Sequence, residues 1–231
     1  MRLIGLLIAL FASLAAAAQP TQIEAQYVVT TNGGMTIGRA TETYSRKGDS
    51  YSIQSVTRSE GVLKAFVDDT FTVASSGRVG QQGLQPLEYN ERRAKDGKRD
   101  LKSTFDWDKH VMRTMLRGEP SEATLPPATQ DRISIMYQFV HLRDFGKTFV
   151  IPMADRRKVS PFTWELVEEG RISTPAGEFD ARHYRRVLNE PNDTKVDVWL
   201  AKDRNNFPVR VIFDDPKGFK LEQSLVALDT K

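Results

Sequence analysis

The sequence predicts a mainly β protein: a curved antiparallel meander or open barrel wrapping one buried α-helix at about residues 131–143. Three observations carry that reading. Apolar and polar residues alternate in many short runs, the period of a half-buried strand. Turn-forming clusters recur about every ten residues, as they do in meanders, sandwiches and barrels. A single stretch carries apolar residues at helical spacing, and it carries them nearly all the way round.

The strands follow one another from the N-terminal side. Residues 22–30 place Ile23, Ala25, Tyr27 and Val29 on one face, and Asn32-Gly33-Gly34 then supplies residues that tolerate positive φ in a tight turn. Tyr51, Ile53 and Ser55 alternate against Ser52 and Gln54, and Phe71 and Val73 against Thr70 and Thr72. Lys95-Asp96-Gly97-Lys98 reads as a hairpin tip between 87–94 and 99–106, and Asp106-Trp107-Asp108-Lys109 as a second tip leading into 110–116. Further strands are signalled by Phe162/Trp164/Leu166, Val196/Val198/Leu200, Val209/Val211/Phe213 and Phe219/Leu221/Leu225. Residues 118–130 interrupt this rhythm. They contain Pro120, Pro126 and Pro127, and are expected not to hold a regular ladder.

The helix comes next. Ile133, Met136, Tyr137 and Val140 lie at helical spacing, while Ile135, Phe139 and Leu142 occupy the other faces. A helix apolar on all sides is a buried helix. Asp131 is placed either to cap its start or to face its positive dipole end, and Arg143 to meet the negative dipole end. Each large apolar side chain buried contributes about 1.5–3 kcal/mol, so a sheet covering this helix is expected to curl around it.

Composition bounds the rest. The chain has 231 residues, 33 Lys+Arg against 30 Asp+Glu, and no Cys. Disulfides, thiol catalysis, Cys-based zinc sites and a lipidated N-terminal cysteine are therefore not expected. Residues 1–18 have a positive start, an apolar run from Leu3 to Leu14 and the small residues Ala16-Ala17-Ala18, the pattern of a cleaved secretory signal peptide. The alternative, a membrane-anchoring helix, has 16 apolar-rich residues from Leu3 to Ala18, fewer than the roughly 20 a span needs. No later segment approaches that length, so a periplasmic protein is expected. Residues 19–231 are expected to form a single β-rich domain with a Pro-rich connection at 118–130. The alternative is a pair of domains split at Pro126-Pro127.

Local motifs for chemistry are few. His110, His141 and His183 lie at no metal-ligand spacing, so no metal is expected. The pairs Asp68-Asp69, Glu168-Glu169 and Asp214-Asp215 read as solvated charge beside turns, since strand neighbours point to opposite faces. Ser134 lacks a nucleophile elbow. Phosphate-loop and dinucleotide fingerprints are missing, so no cofactor is expected. Basic residues cluster at Arg92, Arg93, Lys95, Lys98, Arg99 and Lys102, at Arg156-Arg157-Lys158, and at Arg182, Arg185 and Arg186. They read as edge charges that deter aggregation, or as a surface for an acidic envelope component such as anionic lipid, and not as a nucleic-acid site.

Four stretches carry a family resemblance: Gln130-Asp131-Arg132-Ile133-Ser134, Ile172-Ser173-Thr174-Pro175-Ala176-Gly177-Glu178-Phe179, Val198-Trp199-Leu200-Ala201 and Phe207-Pro208-Val209-Arg210. The run from Ser76-Gly77 to Gly83-Leu84-Gln85-Pro86 also fits. With them, most of residues 25–228 resembles a family of bacterial exported proteins, domain of unknown function 3108. The resemblance implies an exported, mostly β protein and supplies no activity or catalytic residues. The chain is also similar, at the level of fold alone, to the open barrels of lipoprotein carriers. Each quoted motif has a mechanical role as well: Thr174 to Gly177 as a hairpin corner, Phe207-Pro208 as a strand opening, Gln130-Asp131 as a helix entry.

The expected function is a non-enzymatic binding or scaffolding protein of the cell envelope. A groove beside the helix would hold an acyl chain or an extended partner segment, and lipid or an envelope protein is the expected partner. Phe105, Trp107, Phe139, Phe162, Trp164 and Trp199 are the candidate lining residues, each of which could equally fill the core. The alternatives are an envelope hydrolase with an Asp/Glu/His/Ser site assembled in space, and a structural partner in a larger complex.

Overall fold

The computed structural model describes residues 20–61, 64, 70–142 and 146–231. The segment 1–18, the pair Asp68-Asp69 and the Arg143 helix end lie outside the described residues. Fourteen strands appear among them: β1 Gln22–Thr31, β2 Met35–Lys47, β3 Ser50–Ser59, β4 Thr70–Gly80, β5 Gly83–Arg93, β6 Leu101–Asp106, β7 Val111–Leu116, β8 Glu119–Thr124, β9 Thr148–Asp155, β10 Lys158–Thr174, β11 Gly177–Arg186, β12 Lys195–Ala201, β13 Phe207–Asp214 and β14 Lys220–Thr230. The helix α1, Ser134–His141, lies between β8 and β9.

All fourteen strands form one antiparallel sheet in the order β8-β7-β6-β5-β4-β3-β2-β1-β14-β13-β12-β11-β10-β9. Two meanders, β1 to β8 and β9 to β14, are thus fused where β1 pairs with β14. The alternation read in the sequence is the alternation buried: Ile23, Ala25, Tyr27 and Val29 in β1, and Tyr51, Ile53 and Ser55 in β3, all face inward. Register shifts interrupt the ladders in β1, between Ser76 and Gly77, between Leu166 and Glu168, and between Trp199 and Leu200. Each adds local twist and bends its strand, which is how a sheet curls into an open barrel. At the Gly77 bulge, a Cβ would sit 2.1 Å from the Gln85 carbonyl oxygen, so only glycine fits.

The helix runs through the interior between two cores. Tyr137, Val140 and the preceding Ile133 pack with Ile23, Tyr44, Phe105 and Phe207. Ile135 and Phe139 pack with Trp164, Tyr184, Val198 and Leu200. The expected burial on several faces is therefore present, but the helix is shorter than residues 131–143. Asp131 is outside it, and its Oδ1 accepts the backbone N–H of Ile133 (3.1 Å) and Ser134 (2.8 Å). Spending the Asp131 side chain on those donors starts the helix at Ser134, and Leu142 is already extended at its other end.

Two further expectations are corrected. The Pro-rich stretch does hold a ladder in part: residues 119–124 form β8, with Pro120 opposite Met115. Strand β8 is the sheet edge, where a missing N–H breaks no ladder on the outer side. Glu168-Glu169 is not beside a turn but at the bulge in the middle of β10, both side chains in solvent.

The chain leaving β8 covers the other free edge. Gln130 bridges in parallel to Met153 of β9, with N–H bonds from Gln130 to Pro152 O and from Ala154 to Gln130 O, both 2.8 Å. Arg157 at the β9–β10 turn pairs with Glu119 of β8. The helix is fixed to the first meander by Gln138, whose Oε1 accepts the Leu84 N–H at 2.7 Å and whose Nε2 donates to Gln82 O at 2.7 Å. Gly83 permits this approach, since its φ is +96° and a Cβ there would lie 2.3 Å from Gln138 Oε1.

Candidate functional site

A cavity of about 390 Å³ lies beside the helix, toward the end of the barrel where α1 begins. Ile133, Ile135 and Met136 form the helix wall. Val29, Thr57, Phe71 and Val73 come from the first meander, and Phe162, Trp164, Val196, Phe213 and Leu221 from the second. The cavity reaches solvent, because Phe219 on its rim is 51% exposed and the Arg132 side chain 45% exposed. Its size falls in the range of small-molecule sites, about 300–1,000 Å³, and its walls are mainly apolar as those sites are.

Polar groups stand at two levels. At the rim, Glu91 Oε1 accepts the Tyr89 hydroxyl at 2.6 Å and an Arg132 N–H at 3.4 Å. Deeper, Glu42 of β2 faces inward opposite Ser55 of β3. Its Oε2 accepts the Tyr137 hydroxyl at 3.2 Å. Burial raises the Glu42 carboxyl from 4.5 to about 7, against the lowering effect of hydrogen bonds from Ser55 and Tyr137. In the opposite wall, the Trp164 indole N–H is buried and has no hydrogen-bond partner among the described residues.

A second buried network holds the helix entry next to this cavity. Asp131 is fully buried and its Oδ2 accepts the Ser75 hydroxyl at 2.6 Å, while Ser75 meets the Tyr51 hydroxyl at 3.0 Å. Burial raises the Asp131 carboxyl from 3.8 to about 6. Its three donors bind β4 to the first turn of α1. At the far end of α1, His141 Nε2 lies 3.2 Å from the Tyr44 hydroxyl, and burial lowers its pKa to about 4.

The six aromatic residues singled out in the sequence separate in space. Phe162 and Trp164 line the cavity. Phe139 stands behind them in the core, edge-on to Trp164 at 5.5 Å between ring centroids. Phe105 is buried in the other core and stacks on Trp107, whose indole N–H donates to Pro86 O at 2.7 Å. Trp199 is on the sheet face opposite to Val198 and Leu200. It stacks on His183 at 4.1 Å and lies beneath the Arg210 guanidinium. Glu42 and the Arg132–Glu91 pair were missed. A signal for Glu42 existed, because it occupies an inward position between Ala40 and Tyr44 in an alternating strand.

His183 is hydrogen-bonded to Asp197 Oδ1 at 2.6 Å, and Arg185 shares that oxygen at 2.8 Å. This His–Asp pair is sealed against Trp199 and does not line the cavity. No group of three or more His, Asp or Glu side chains placed to hold a metal occurs among the described residues. No helix among them is long and apolar enough to cross a membrane.

A family model, Protein of unknown function (DUF3108), matches residues 26–224. The chain belongs to that family. Family membership agrees with the resemblance carried by the Gln130–Ser134 and Ile172–Phe179 stretches. A β-barrel-like protein of domain of unknown function DUF1849 from Brucella abortus shares the fold, with a TM-score of 0.62, 13% identity, and coverage of 93% of this chain and 99% of that one. A candidate lipoprotein from Parabacteroides distasonis aligns at a TM-score of 0.38 with 9% identity over 91% of this chain and 95% of its own. No curated protein matches the sequence.

Proposed function

We propose that this DUF3108 protein is a non-enzymatic binding protein of the bacterial envelope that holds an acyl chain in the cavity beside α1. The observation that carries the proposal is the mainly apolar, solvent-reaching cavity of about 390 Å³ between the helix and both meanders. Each methylene moved there from water is worth about 0.8 kcal/mol, so a chain of eight buried methylenes supplies about 6 kcal/mol before the cost of association. The signal-peptide pattern of residues 1–18 supports placement in the periplasm. The ladder between β1 and β14, and a helix shared by both cores, support residues 19–231 as one folding unit. Two separable melting transitions would count against that unit.

Native mass spectrometry of protein purified from its host, with titration of a neutral fluorescent alkyl probe, tests the proposal. A co-purifying lipid and a saturable probe site are expected. Thr57→Trp, which puts an indole into the cavity from β3, should abolish the probe signal in folded protein. If no lipid co-purifies and the probe finds no saturable site, the acyl-chain proposal fails.

A further inference from the structure

The depth of the cavity says which end-group its occupant carries, and this inference rests on the binding proposal above. Glu42 lines the cavity while remaining only 9% exposed. It lies across from Ser55, further along β2 from the rim than Gly38, which pairs with Val29 of the upper wall. Its protein partners are two neutral hydroxyls, those of Tyr137 and Ser55. No cation pairs with it among the described residues. The basic residue lining the cavity, Arg132, is engaged by Glu91 at the rim.

A buried carboxyl with hydroxyl partners and no counter-ion has two consequences. Its acceptor lone pairs are incompletely used, so a donor brought by a ligand gains a charge-assisted hydrogen bond. It also excludes a second anion, because like charges a few ångströms apart in a low-dielectric site repel by several kcal/mol. The Trp164 indole N–H, buried in the opposite wall with no partner among the described residues, is a donor that an oxygen of the ligand could satisfy. Glu42 and Tyr137 join β2 to α1, so this recognition group is fixed by the fold and not by a loop.

We propose that the cavity selects an alkyl chain ending in a hydrogen-bond donor, a hydroxyl or an ammonium, which is read by the Glu42 carboxyl, and that it discriminates against a chain ending in a carboxylate. The selectivity belongs to one side chain. Glu42→Gln keeps the shape and an acceptor oxygen but removes the repulsion. Glu42→Asp keeps the charge.

The test is competition against a neutral fluorescent alkyl probe by dodecanol, dodecylamine and dodecanoate at pH 8. In the wild type, dodecanol and dodecylamine should displace the probe at concentrations at least about tenfold below dodecanoate, one step of 1.4 kcal/mol. In Glu42→Gln, dodecanoate should gain about tenfold and dodecylamine lose its advantage, while Glu42→Asp retains the wild-type ranking. Equal displacement by all three in the wild type overturns the inference and leaves the binding proposal standing. An unchanged ranking in folded Glu42→Gln overturns it as well. Displacement by none of the three, with no probe binding, overturns the cavity as a lipid site and this selectivity with it.

Discussion

Replacing Glu42 with Gln should make the protein more stable at alkaline pH and leave it nearly unchanged at acid pH. In the folded protein the carboxyl titrates at about 7, raised from 4.5 mainly by burial. Below pH 4.5 it is protonated in both folded and unfolded chains and contributes nothing to the pH dependence. Between 4.5 and 7 the unfolded chain has released the proton and the folded one still holds it. The native state then binds more protons, so stability falls as pH rises. At 1.36 kcal/mol per unit, a shift from 4.5 to about 7 amounts to about 3 kcal/mol lost by pH 8. Glu42→Gln has no proton to hold, and its amide oxygen can still accept from Tyr137. Urea unfolding followed by tryptophan fluorescence from pH 4 to pH 8.5 measures the difference between the two proteins. Two other buried groups titrate in this range. Asp131, raised to about 6, loses stability with rising pH in the same sense, between 3.8 and 6. His141, lowered to about 4, acts oppositely: its contribution is lost as pH falls from 6.5 to 4. Both are common to the two proteins and cancel in the difference. A difference that stays within about 0.5 kcal/mol of constant across the range would refute the placement of Glu42 in a desolvated wall.

Other perturbations have equally definite outcomes. Asp131→Ala removes the cap of α1 and leaves the Ser75 hydroxyl and two buried N–H groups without their acceptor, so a loss of about 2–4 kcal/mol in urea unfolding is expected, with Asn milder than Ala because its oxygen can still cap. Gly83→Ala forces both a positive φ and a clash with Gln138, and should cost more than about 1 kcal/mol. The same change in a Gln138→Ala background should cost less, a non-additivity that a double-mutant cycle reads directly. Phe139→Ala should destabilise by about 3–5 kcal/mol because Phe139 is fully enclosed between Trp164 and Phe149, whereas Trp199→Ala, at a half-buried site, should cost clearly less in the same denaturation series.

Much of the fold was legible because strand periodicity is local. Ile23 to Val29, Tyr51 to Ser55 and Val196 to Leu200 each declare their buried face without reference to any other strand. The buried helix was legible for the same reason, since apolar residues at every helical face have one physical home. Its ends were not, because Asp131 bonds to N–H groups two and three residues ahead and so moves the start to Ser134. Strand β8 escaped because proline is excluded from a strand only when both sides must be paired, and the edge position is a property of the whole sheet. Among the aromatic candidates, Trp199 could have been set apart from the sequence: if Val198 and Leu200 face inward, the residue between them faces outward. The cavity could not be read, as its wall gathers residues from Val29 to Gln223 whose meeting depends on the closing of the barrel.

The ladder between the first and last strands has a consequence for how the chain reaches this state. Ile23 finds its partner at Thr230, so β1 must wait for nearly the whole polypeptide before one of its two sides is satisfied. Until then the first meander can assemble with a bare hydrogen-bonding margin along β1, a surface that invites pairing with a second molecule. The final strand therefore acts as a clasp: shortening the protein by its last twelve residues would strip β14 and reopen that margin, and the truncated product should self-associate before it unfolds.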